Sequence, residues 1–154
     1  MLHVLDLKIP PPVVAILIGA AMWFASRWGP SIDLPLFVRS LLFGAIAVAG
    51  GAVALAGELE FKRARTTVNP FKPQNTSTLV TSGVYRRTRN PMYVGLLLVV
   101  VGWAAFLCSA WALAGPVAFV VYISRFQIAP EERALAGKFG AAYSDYLEHV
   151  RRWI

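Results

Sequence analysis

The chain of 154 residues is 57% hydrophobic and only 15% charged, with a mean hydropathy of +0.58. That excludes an ordinary soluble domain and points to an all-α integral membrane protein of one domain. The net charge of +7 does not argue for nucleic acid, because the basic residues cluster beside apolar segments, as the positive-inside rule expects of cytoplasmic loops.

Pro10-Pro11-Pro12 cannot continue a helix but can lead into one. A first membrane helix is expected over residues 13–28, with Trp23 and Trp28 in the interfacial belt and Gly29-Pro30-Ser31 ending it. No small-residue cleavage site comes after this run, so it is expected to stay as an anchor. A second span is expected over residues 36–56. Arg39 in its first turn can snorkel, and Gly44, Gly50 and Gly51, among alanines, offer a small-residue packing surface. Residues 57–90 then form a polar connector. From Lys62 to Arg89 it carries seven basic residues, against Glu58 and Glu60, which places it in the cytoplasm. Asn69-Pro70 and Lys72-Pro73 forbid a long helix in its middle.

Met92 to Ile123 is a run of 32 residues without a charge. It is too long for one span and reads as a hairpin, residues 91–107 out and 109–128 back, with the break at Leu107-Cys108-Ser109 or Gly115-Pro116. Four spans with both termini cytoplasmic agree with the charge distribution. Ala129-Pro130-Glu131-Glu132 is a helix start, proline in the first turn and carboxylates at the positive end of the dipole. Leu135, Phe139, Tyr143, Tyr146 and Val150 mark one face of an amphipathic helix over residues 130–150, expected on the cytoplasmic surface.

The usual catalytic constellations are absent. His3 and His149 lack metal-ligand spacing and Cys108 is the only cysteine, so no metal is expected. No acidic residue falls inside an expected span, which argues against a proton-coupled transporter. Two polar groups come to one membrane face: Tyr85 to Tyr93, and Arg125 with Glu131 and Glu132. Arginine forks onto carboxylates, asparagine donates and accepts, and tyrosines stack on bases or face cations. Together they suit a zwitterionic, nucleotide-like cofactor beside a lipid-facing cleft.

Gly83-x-Tyr85, Arg89-Asn90-Pro91-x-Tyr93-x-Gly95, Glu131-Glu132-x-x-Leu135, Phe139-Gly140, Tyr143, Tyr146 and Arg152-Trp153 resemble the isoprenylcysteine carboxyl methyltransferase and phospholipid methyltransferase superfamily, in its prokaryotic form, over roughly residues 65–154. The resemblance implies an enzyme of a bacterial inner membrane that moves a methyl group from S-adenosylmethionine to a lipophilic acceptor reached from the bilayer. It implies cofactor contacts from Tyr85, Arg89, Asn90, Pro91, Tyr93, Glu131 and Glu132. In direct in-line transfer an acceptor carboxylate needs no base and Arg125 is expected to orient it, whereas for an amine or thiol Glu132 is the expected base. The prenylcysteine enzymes usually carry histidine where this chain has Asn90, so the pocket electrostatics differ. A phospholipid amine or thiol acceptor, and a non-enzymatic four-helix exporter or assembly factor, are the other readings. The latter would bind no cofactor.

Overall fold

The computed structural model describes residues 6–65 and 77–154. His3, Asn69-Pro70 and Lys72-Pro73 lie outside the described residues. The described residues are helical, and their only extended pairing is an isolated bridge between Ser31 and Ser109.

Helix α1 (Pro11–Ala25) begins on its prolines, two residues earlier than expected. It stops at Ala25 rather than Trp28, because Ser26 turns its hydroxyl back onto Trp23 O (2.7 Å) ahead of Gly29-Pro30. Helix α2 (Leu36–Arg63) runs seven residues past the expected end. The polar residues expected to open the connector extend it through Glu58–Lys62 and Glu60–Arg63 pairs, each 2.6 Å, with Lys62 and Arg63 at the negative end of its dipole.

Helix α3 (Pro91–Leu107) ends where Cys108 takes a left-handed conformation (φ 50°). The hairpin turn therefore falls at Cys108 and the 3-10 turn Ala110–Leu113, and Gly115-Pro116 lies inside the return helix α4 (Ala114–Ile123). The amphipathic helix expected over 130–150 does not stand as one element. A π turn, Ser124–Ile128, joins α4 without interruption to α5 (Ala129–Phe139). Gly140 (φ 52°, ψ −125°) then breaks the helix before α6 (Ala141–His149), a conformation that needs glycine.

Contacts at the two ends fix the order of the layers. At one end Ile32 N–H donates to Cys108 O (2.9 Å) and Ala110 N–H to Pro30 O (3.0 Å), joining the α1–α2 and α3–α4 turns. At the other, Leu7 meets Phe126 and Arg89 meets Arg151. α1 and α3 thus run one way, α2 and α4 the other. α3 packs along α2 through Gly50 and Gly95, where an added Cβ on either would lie 2.5–2.6 Å from the other's carbonyl oxygen. Gly57 packs against Pro91, while Gly44 and Gly51 meet nothing within 4 Å, so only part of the anticipated glycine surface is used. The core comes from α1, α3, α4 and the π turn, around Phe119, Ile123 and Ile128, all fully buried.

The exterior is apolar: Phe37 is 76% exposed, Val48 73% and Ile16 70%. Water penalises such a surface and acyl chains suit it. α2 and the continuous helical stretch Ala110–Phe139 are long and apolar enough to cross a membrane; α1 and α3 are shorter apolar helices.

Candidate functional site

The site begins at the end of α2. Ser82 donates its hydroxyl to the Glu60 carboxylate, which Arg63 also binds (2.6 Å). Gly83 is next, with φ +56°, and an added Cβ there would lie 2.6 Å from Glu60 Cδ, so the turn needs glycine twice over. The 3-10 turn Gly83–Arg86 buries Tyr85 edge-on against Phe61, ring centroids 5.4 Å apart. Tyr85 O accepts the Tyr146 hydroxyl at 2.7 Å, tying this turn to α6.

The next residues bind the C-terminal tail. Arg89 N–H donates to Arg151 O (3.0 Å), and Arg152 O accepts Asn90 Nδ2 (2.8 Å) and the Thr88 hydroxyl (3.4 Å). Asn90 is not a side-chain cap for α3; its amide is spent on the C-terminal tail, and Pro91 supplies the preset first turn. Trp153 Nε1 donates to Ser124 Oγ (3.1 Å), fixing the tail over the π turn.

The two glutamates of α5 diverge. Glu131 Oε1 accepts the Tyr93 hydroxyl at 2.5 Å. Glu132 takes Arg89 Nη1 (3.3 Å), Arg152 Nε (3.1 Å) and Arg152 Nη2 (2.5 Å). Both partners of the Arg89–Glu132 pair are largely buried, with side chains 13% and 17% exposed. Arg89 Nε is buried without a partner. Burial first, then the Glu132 charge, pushes the Tyr143 hydroxyl up to about 12. Burial likewise raises Tyr85 and Tyr146 well above the usual phenol range, so these hydroxyls stay protonated and able to donate.

Tyr85, Arg89, Asn90, Pro91, Tyr93, Glu131 and Glu132 therefore gather at one end of the bundle, though their segments lie far apart in the chain. Arg125 does not join them through an ion pair; its guanidinium lies over the Phe126 ring, 5.6 Å from the centroid. Sequence reasoning did not assign Arg152 a role beyond its place in the motif. Only the break at Gly140 and the return of the tail across Thr88–Asn90 give it Glu132 as partner.

A family model for phospholipid methyltransferase matches residues 38–142, more than half of the chain. The chain is 35% identical to protein-S-isoprenylcysteine O-methyltransferase A of Arabidopsis thaliana over 112 residues, 70% of this chain and 55% of that protein. It is 39% identical to protein-S-isoprenylcysteine O-methyltransferase of Mus musculus over 82 residues, 49% of this chain and 27% of that protein. The chain thus spans about half or less of the curated methyltransferases it matches. An uncharacterised protein of Haemophilus influenzae is 43% identical over 63 residues, its whole length and 41% of this chain. No solved structure matches.

Proposed function

This chain belongs to the phospholipid methyltransferase family, and we propose that it is a membrane enzyme moving a methyl group from S-adenosylmethionine to a lipophilic acceptor of the isoprenylcysteine carboxylate class. It crosses the bilayer four times, through α1, α2, α3 and α4, with the polar cluster and both termini at the cytoplasmic face of a bacterial inner membrane. The observation that supports this reading best is the convergence of Arg89-Asn90 and Glu131-Glu132 under one C-terminal tail.

The residues present suit the donor. Arg89 carries a buried, unpartnered Nε that an anionic group can satisfy, Glu131 provides a carboxylate for an amino group or ribose hydroxyls, and Glu132 holds Arg89 in place. Tyr85 and Pro91 shape the wall, and Tyr93 orients Glu131. When bound, S-adenosylmethionine supplies an electrophilic methyl group on a sulfonium centre. The protein then has mainly to position the acceptor and exclude water.

Both oxygens of Glu132 are already engaged by arginines, so neither stands free to take a proton from an amine or thiol. That favours an acceptor nucleophilic as its carboxylate, which needs no base. Arg125, close by in sequence on the π turn, is the residue proposed to orient it.

Calorimetric titration of the detergent-purified protein with S-adenosylmethionine tests the reading, together with radiolabelled methyl transfer to an isoprenylated cysteine and to phosphatidylethanolamine. Donor binding with transfer to the carboxylate is expected. Transfer to the amine alone would move the enzyme to the phospholipid class. Absence of donor binding would leave a non-enzymatic bundle.

A further inference from the structure

The π turn has a partner that the chemistry above does not use. Pro130 has no N–H, so Phe126 O, four residues back, has no ordinary intrahelical donor. Leu7 N–H supplies one at 2.9 Å, from a left-handed residue (φ 57°) in the N-terminal segment. The next side chain, Gln127, is fully buried and returns the contact, its Nε2 donating to Ile9 O at 2.7 Å. Asp6 then pairs with Arg133 at 2.9 Å, one turn into α5. Three successive points of residues 6–9 thus grip residues 126–133.

A π turn inserts one residue into a helix and so rotates the downstream residues by about 100° relative to an uninterrupted α-helix. Just downstream lie Glu131 and Glu132. Without the insertion they would point away from Tyr93 and Arg89. We infer that the N-terminal segment, through Gln127, holds the π turn and thereby sets the rotational register of Glu131 and Glu132, which makes Gln127 a positioning residue for the polar cluster. Its bearing on donor binding rests on the function proposed above; its bearing on helix register does not.

The test is Gln127→Met in the full-length protein, with hydrogen–deuterium exchange and donor titration as paired readouts. Methionine keeps the volume and removes the donor. Gln127 Oε1 is itself buried without a partner, so the change removes one unpaired acceptor while leaving Ile9 O unpaired, and global stability should move little. Exchange at residues 131–134 is expected to rise, that in α3 to stay as it was, and donor affinity to fall about tenfold or more. Arg133→Met, whose side chain is 54% exposed, should act in the same direction but more weakly.

Unchanged exchange and unchanged affinity overturn the inference. So does a fall in unfolding temperature with affinity intact, which would mark Gln127 as merely structural. If the wild-type protein binds no donor, the proposed function fails, and localised exchange in α5 alone decides for or against the register.

Discussion

Tyr93 and Glu131, 38 residues apart, share one hydrogen bond of 2.5 Å that ties the first turn of α3 to the first turn of α5. Tyr93→Phe keeps the ring and removes the donor. The half-buried Glu131 carboxyl then lacks its partner, which should cost about 1 kcal/mol. Thermal unfolding in detergent measures this, and donor affinity should fall alongside. An unchanged midpoint would show that Glu131 finds another donor.

Glu132→Gln should weaken donor binding more than any other single change at the cluster. It removes the charge that balances Arg89 and Arg152, and it leaves Arg89 largely buried without a counterion. Calorimetry should show at least about a tenfold loss. Retained affinity would mean that the two arginines, not the glutamate, hold the donor.

Arg152 and Arg125 should separate cleanly. Arg152→Ala breaks the pair with Glu132, so donor affinity falls. Arg125→Ala removes a group lying over Phe126, so donor affinity should hold while methyl transfer slows. The reverse pattern would exchange their roles.

The α2–α3 contact gives a stability test independent of chemistry. Gly95→Ala would place a methyl 2.5 Å from Gly50 O and 2.8 Å from Ala54 Cβ, forcing the helices apart at about 1–3 kcal/mol. Gly44→Ala and Gly51→Ala meet nothing within 4 Å and should leave the unfolding midpoint unchanged or slightly raised, since alanine is the better helix former. Equal effects at all three would mean that another surface covers Gly44 and Gly51.

Orientation is open to labelling. In a Cys108→Gly background, which suits the left-handed conformation there, exposed Asp33→Cys should react with an impermeant maleimide from outside the cell. Exposed Ala142→Cys should react only after lysis. Labelling of both from one side would refute the proposed topology.

Much of this arrangement was readable in the residue order. Pro91 and Pro130 announce helix starts, and the charge-free run from Met92 to Ile123 needed a turn, one of whose two candidate places was Cys108. The Leu135–Phe139–Tyr143–Tyr146 face is the sheltered one, with Tyr143 and Tyr146 buried. Other features depend on partners remote in the chain. The π turn is tied by Leu7 N–H to Phe126 O and by Gln127 Nε2 to Ile9 O, pairings that no local periodicity encodes. α2 outruns its apolar stretch because its ion pairs make polar residues good helix formers. Arg152 acquires its partner only when the tail after His149 folds back, which hydropathy does not register.

The backbone pairing of Ser31 with Ser109 works like the spring end of a clothes-peg. Both inter-helix hairpins are sutured there, and the jaws at the opposite extremity, where the glutamates sit, are held shut by residues 6–9 and by the tail after His149. Opening that end therefore requires one of those two segments to let go first.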